Sequence, residues 1–258
     1  MTNPWIPRQG QRILLWGADR GLGKALIGRF ADSGAQVYYL DDGRLGNTSE
    51  LAGERLPFDP ARNPDMRNLK KTLAEWDGGL DCLVIVHQHL ESGHVLTTTE
   101  DDWQSALSHN LAWPLALTQA CFDALCTAQG NVLLLGSVGG PYAYDGFSSV
   151  GVAHAALHTL MRYMASEWMK KGIRVNAIAS GPIDDGLVSS AMDLQRARSL
   201  PVAPDGVIGH ASIEQALDAI DFYTSDRATW LTGQLVIFDG GMTLGLDFEH
   251  FLRLTDYT

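Results

Sequence analysis

Short apolar runs alternate with longer amphipathic stretches along the whole chain, and this alternation constrains the fold more than any other feature of the sequence. Residues 12–16 read as a strand and glycines follow at once; Leu22, Ala25, Leu26 and Phe30 then recur on one helical face. Further strands are expected at 35–40, 56–58, 80–86, 131–135, 173–179 and 234–238. Helices are expected at 66–76, 100–128, 148–171 and 212–223, with Pro114 breaking or kinking the second near Trp113. The run 80–86 is apolar on both faces, as strands of a parallel sheet tend to be. Strand–helix alternation of this kind builds a doubly wound α/β structure: seven parallel strands in a Rossmann-type sheet, helices on both faces, right-handed crossovers. At 258 residues the expectation is a single domain, 1–258, large enough to bury a core without metals or disulfides.

Composition excludes several roles. The formal charge of −11 repels phosphate backbones and anionic headgroups, so no nucleic acid and no membrane is expected as partner. The apolar runs fall far short of the roughly 20 residues of a membrane span. Cys82, Cys121 and Cys126 are odd in number and lack CxxC spacing, which argues against a disulfide framework or a zinc site. The first residues, MTNPWIPRQGQR, have no apolar core before a cleavage site, so a cytoplasmic location is expected. His87 and His89 share a face of an extended segment, but no further ligand is tied to them by sequence, so no metal is expected.

The segment Gly17-Ala18-Asp19-Arg20-Gly21-Leu22-Gly23 sits between the first strand and the first helix. Glycines there let backbone approach a phosphate, and the helix N-terminus offers unpaired N–H groups to a diphosphate. In this context the pattern GxxxGxG resembles the cofactor loop of the short-chain dehydrogenases/reductases. The resemblance continues through Asp59 after the third strand, Asn110 in HNLAWPLALTQA, Ser137 in GNVLLLGSVGG, RVNAIASGPI ending at Ile183, and WLTGQLVIFDGG near the C-terminus. The stretch RYMASEWMKKGIRVNAIASGPI is most similar to the enoyl-acyl-carrier-protein reductases of that superfamily. The resemblance implies a cofactor-binding core over 11–183 in which Gly17, Asp19, Arg20, Gly21, Leu22, Gly23, Asp41, Asp59 and Ile183 face a nicotinamide dinucleotide. It implies an active site with Ser137 bonding the substrate carbonyl and Asn110 beside it. Asp41, next to Asp42 at the end of the second strand, favours NAD by repelling a 2′-phosphate; Arg20 pulls toward NADP, which stays as the alternative.

The chain departs from the family where the chemistry lies. The family's tyrosine and lysine share a helix face. Counted from Ser137, the tyrosine's place is Val150 and the lysine's is His154; in the enoyl-reductase register the tyrosine's place is Phe147. The turn usually written NNAG reads Ile85-Val86-His87-Gln88, Trp16 replaces a threonine, and Asp185 replaces another. His154 titrates near neutral pH when unperturbed and is a candidate proton donor or ribose ligand, with a packed helix histidine as the other reading. Tyr142 and Tyr144 read as ordinary loop tyrosines whose phenols can also swing toward a substrate.

Three functions stay open. The first is an NAD(P)-dependent oxidoreductase of a small carbonyl, hydroxyl or enoyl substrate with an atypical site. The second is a catalytically inactive dinucleotide- or metabolite-binding homologue. The third is a non-redox dehydratase, lyase or cyclase on the same scaffold. Segment 184–210 is expected to be the substrate loop. The tail 242–258, with Phe248, Phe251, Leu252, Leu254 and Tyr257, is expected to pack on a neighbouring subunit. The two long helices resemble those of the family's homodimer or homotetramer, with Trp113, Phe122, Trp168 and Met169 as interface candidates.

Overall fold

The computed structural model describes residues 8–41, 50–91, 93–144, 146–185 and 210–244. Seven parallel strands form one sheet: β1 (Arg12–Trp16), β2 (Gln36–Asp41), β3 (Glu54–Pro57), β4 (Cys82–Ile85), β5 (Asn131–Ser137), β6 (Arg174–Ser180) and β7 (Leu235–Phe238). Their spatial order is β3-β2-β1-β4-β5-β6-β7. The chain reverses its direction of winding between β1 and β4, and the carboxyl ends of these two strands open the crevice in which such sheets bind ligands.

The pleat divides the core in two. Leu14 and Trp16 face one side, with α2 (Asn63–Ala74), α4 (Trp113–Ala128) and α5 (Ser148–Trp168) packed over them. Ile13 and Leu15 face the other, under α1 (Gly21–Asp32) and α6 (Ile213–Thr224). β4 and the first six residues of β5 are wholly buried, which explains why these segments read as unbroken apolar runs. The edge strand β3 is mostly exposed and lies two residues earlier than the apolar content of 56–58 suggests: it runs from Glu54 because Tyr38 to Asp41 of β2 pair with Glu54 to Pro57. An exposed edge is set by ladder pairing, so its apolar residues mark it poorly.

Two charge networks hold α6, the helix that follows the Ile183–Ala211 bridge. Arg29 of α1 pairs with Glu214 at 2.6 Å, Asp218 at 3.2 Å and Asp221 at 3.4 Å. Arg8, wholly buried, donates to Asp221 Oδ1 at 3.2 Å and Thr224 Oγ1 at 2.6 Å. Burial pushes the Asp221 carboxyl above its ordinary range, against the pull of Arg8 and Arg29. Removing one partner of such a buried pair costs about 3–5 kcal/mol.

The expected break near Trp113 is not a break. The helix α3 (Glu100–Leu107) continues through a π-helical turn, Ser108–Ala112, directly into α4. Pro114 has no N–H to donate, and the wider turn accommodates the missing bond without ending the helix. α5 stops at Trp168, and a 3-10 turn, Met169–Lys171, leads into Gly172 at φ +79°. Phe122 and Trp168 meet each other within the chain, ring centres 5.0 Å apart, whereas Met169 is exposed. Among the described residues no helix is long and apolar enough to cross a membrane. The tail from 245 onward, Asp42, and 186–209 lie outside the described residues.

Candidate active site

The loop after β1 is shaped by contacts of backbone with backbone. Gly17 has φ +115°, and a Cβ there would stand 2.5 Å from the amide nitrogen of His87. A Cβ on Gly23 would stand 2.0 Å from the Gly17 carbonyl oxygen. Only glycine lets the first turn of α1 seat this closely on β1 and β4. That first turn has no capping side chain and no acidic residue, and Leu22 is buried beneath it. The Gly21 amide donates to the Asp185 carbonyl at 3.3 Å, and the Arg20 guanidinium donates to the Gln88 carbonyl. Arg20 therefore spans the switch-point crevice, from the loop after β1 to the loop after β4.

The other expected cofactor residues sit around this loop. Asp19 is half-buried in the turn. Asp41 ends β2, paired with Pro57 of β3. Asp59 follows β3, and its Oδ1 accepts from the Ala61 amide at 2.9 Å. Ile183 is buried, and its backbone bridges to Ala211 just before α6.

Beside the loop, at the carboxyl ends of β4, β5 and β6, lies a cavity of about 70 Å³. Gln88, Ser137, Tyr144, Phe147, Ile183 and Met242 are among its lining residues. Ser137 Oγ accepts from the Gly139 amide at 3.1 Å, so its own O–H is directed elsewhere. Phe147 opens α5, and its ring lies 5.6 Å from that of Tyr144. Val150 is buried in the core, so the tyrosine that lines the cavity is Tyr144 and not a residue of α5. Tyr142 is exposed.

Asn110 and His154 are placed differently from Ser137. Neither lines the cavity. Asn110, 1% exposed, sits in the π turn and grips the backbone of His89: Oδ1 accepts from its N–H at 2.9 Å and Nδ2 donates to its carbonyl at 2.8 Å. His154 is 1% exposed, and its Nδ1 has no hydrogen-bond partner. Burial first, then His158 and Arg20, push its pKa down to about 3. His154 is a neutral imidazole at physiological pH, without the proton that a general acid must give. His158 stands one turn away, its ring 6.3 Å from that of His154, and burial takes its pKa down to about 4.

Sequence spacing missed a second feature. Trp16 stacks on His87 at 4.3 Å, His87 Nε2 lies 3.3 Å from His109 Nδ1, and His109 stacks on His89 at 4.5 Å. His89 ends the stack on Glu91 at 3.2 Å. Among the described residues, no group of three or more His, Cys, Asp or Glu is arranged to hold a metal ion. His87 and His89 do share a face, opposite Gln88, but His109 joins them from another element that spacing alone does not bring near.

With this geometry in hand, the chain can be set beside known proteins. Residues 17–243 match the family model described as Enoyl-(Acyl carrier protein) reductase. The chain belongs to the short-chain dehydrogenases/reductases. Among its relatives is a tropinone reductase homolog of Arabidopsis thaliana, 28% identical over 92% of this chain and 80% of the relative. Another is the 3-oxoacyl-acyl-carrier-protein reductase FabG of Escherichia coli, 29% identical over 91% of this chain and 98% of the relative. A crystal structure from Burkholderia xenovorans, assigned to the short-chain dehydrogenases/reductases, shares the fold with a TM-score of 0.81, at 24% identity over 93% of this chain and 98% of that one.

Proposed function

We propose that this short-chain dehydrogenase/reductase is an NAD(P)-dependent oxidoreductase of a small, mainly apolar carbonyl or enoyl compound, with Tyr144 standing in for the phenol that α5 lacks. The observation that carries the reading is that Ser137 and Tyr144 line one cavity at the carboxyl ends of β4, β5 and β6, beside the glycine loop.

The residues present fit the diphosphate half of a nicotinamide dinucleotide. The first turn of α1 carries no cap and no carboxylate, and Gly17 and Gly23 leave no room for a Cβ where the loop meets it. Gly17, Asp19, Gly21, Leu22 and Gly23 would hold the diphosphate, with Asp41 and Asp59 toward the adenosine and Ile183 toward the nicotinamide. When bound, the dinucleotide supplies the hydride. The chain's own work is to orient and to move a proton. The Ser137 hydroxyl donates to the substrate oxygen, the Tyr144 hydroxyl delivers the proton that oxygen or carbon needs, and Leu90, Leu135, Val138 and Phe147 keep water out. His154 stays neutral, and its neighbour His158 packs α5 against Gly136 and Gly140. A positioned general acid is worth 10²–10⁴-fold in rate, so Tyr144→Phe should lower kcat by about that much.

A second reading is favoured by one observation: Arg20 crosses the crevice to Gln88, and Asp185 occupies the Gly21 amide. In that reading the chain holds a metabolite in the cavity and transfers no hydride. Oxidation of NADH and NADPH, followed with a panel of small ketones, β-keto thioesters and enoyl thioesters, separates the two. Turnover with a Tyr144-dependent kcat supports the oxidoreductase; no oxidation with any member of the panel sinks it. A homodimer or homotetramer and a cytoplasmic location complete the proposal.

A further inference from the structure

Gln88 stands where the family's NNAG turn carries glycine. It is 8% exposed, it lines the cavity, and its Nε2 is buried without a hydrogen-bond partner. Its backbone is held on two sides: Arg20 donates to its carbonyl, and its neighbour His89 is gripped by both ends of the Asn110 amide. A buried amide N–H left unpaired carries its whole desolvation cost, so an arrangement that fixes one inside a cavity calls for an acceptor. Ser137, Tyr144, Ser180 and Asp185 also line the cavity, but none of them hydrogen-bonds to Gln88 Nε2, and the rest of the wall is mainly apolar.

We propose that Gln88 is a specificity-determining residue that donates its side-chain N–H to an oxygen of the substrate, which makes the cavity a site for compact apolar ketones. The size agrees with the chemistry. A cavity of about 70 Å³ holds a ligand of roughly five to seven heavy atoms, on the measure by which one water takes about 10–15 Å³. Gln88 then donates to an oxygen lying in the cavity that Ser137 and Tyr144 also line, and a hydrocarbon of the same shape leaves the buried Gln88 N–H unmet. Sites built to hydrogen-bond an oxygen reject analogues that lack it far more strongly than apolar pockets reject a methylene. What becomes of the bound ketone rests on the oxidoreductase reading; its binding does not.

The test uses cyclohexanone and methylenecyclohexane, equal in shape and unequal in acceptor, without any dinucleotide. Binding is read from the methyl resonances of Ile183 and Met242 in methyl-labelled protein. The full-length wild type should bind the ketone more tightly than the alkene, and the ratio should fall about tenfold in Gln88→Leu and in the near-isosteric Gln88→Glu. In the wild type alone, the Gln88 side-chain NH₂ resonance should shift with the ketone and stay with the alkene, a readout that survives if either variant misfolds. An unchanged ratio in the folded variants overturns the proposal, as does a Gln88 resonance indifferent to the ketone. So does an unchanged ketone preference beside weakened NADH binding in a separate titration of the same variants, since Gln88 would then serve the dinucleotide. Absence of NAD(P)H turnover beside a Gln88-dependent ketone preference would sink the oxidoreductase reading and leave this proposal standing.

Discussion

The guanidinium of Arg20 donates to the carbonyl of Gln88 and so ties the loop after β1 to the loop after β4, across the crevice where the sheet reverses its winding. A dinucleotide lying in that crevice must displace this contact or pass beneath it. Arg20→Met removes the tie while keeping the apolar stem. NADH binding, measured by energy transfer from tryptophan, is expected to tighten several-fold, because the intramolecular bond no longer competes. NADPH binding should gain no more than NADH. If NADPH affinity instead falls tenfold or more, Arg20 is a ligand of the 2′-phosphate and the tie is incidental.

Two neutral histidines buried a turn apart make a pH prediction whose sign follows from their lowered pKa values. His154 falls to about 3 and His158 to about 4, both below the ordinary value near 6.5. The unfolded chain takes up protons on these rings first as pH falls. Their stabilisation is therefore complete above about 6.5 and is lost progressively below it, by up to about 1.4 kcal/mol per pH unit for each ring. Urea midpoints should fall from pH 7 to pH 5, and His154→Leu should make that fall shallower by about one proton's worth of slope. A slope equal to that of the wild type would mean that His154 is protonated in the folded protein, and its candidacy as proton donor would return.

Gly17 allows a plain test of how the glycine loop is built. A Cβ there meets the His87 amide nitrogen at 2.5 Å, and the residue's φ of +115° disfavours any L side chain. Gly17→Ala should cost about 3 kcal/mol or more, through strain and through displacement of β4's end. Thermal unfolding should drop by roughly 10 °C. Gly28, whose Cβ would meet nothing within 4 Å, is the matching control, and Gly28→Ala should leave the midpoint unchanged or raise it. A Gly17→Ala protein as stable as the wild type would show that the loop can move off β4.

Those contrasts mark what the sequence makes legible. β1, β4, β5 and β6 could be read because each is buried on both faces, and burial writes itself into a run of apolar residues. The glycine loop could be read because two of its positions admit no Cβ. The cavity could not. Gln88, Tyr144 and Met242 come from loops after different strands, and no spacing rule joins positions 88, 144 and 242. The π turn was hidden for a related reason: Pro114 announces a missing N–H, but whether the helix breaks or widens is decided by tertiary contacts, here the grip of Asn110 on His89. His154 stands at the lysine's place in the pattern, yet its burial beside His158, invisible in one dimension, sets its charge.

Asn110 makes the last prediction, because its two hydrogen bonds run in opposite senses to one residue. Oδ1 takes the His89 N–H at 2.9 Å and Nδ2 gives to the His89 carbonyl at 2.8 Å. Asn110→Asp preserves the first bond and turns the second into a carboxylate facing a carbonyl oxygen, in a position 1% exposed. The fold should lose about 2–4 kcal/mol, and the carboxyl pKa should rise as the protein protonates it to recover the lost donor. Stability of Asn110→Asp should therefore recover toward that of the wild type as pH falls from 8 to 5, measured as the difference in urea midpoint so that the histidines cancel. The same variant loosens the segment that carries Gln88, so its ketone preference should weaken at pH 8 and return with the proton. A midpoint difference independent of pH would mean that His89 is held by other contacts and that Asn110 leaves Gln88 where it stands.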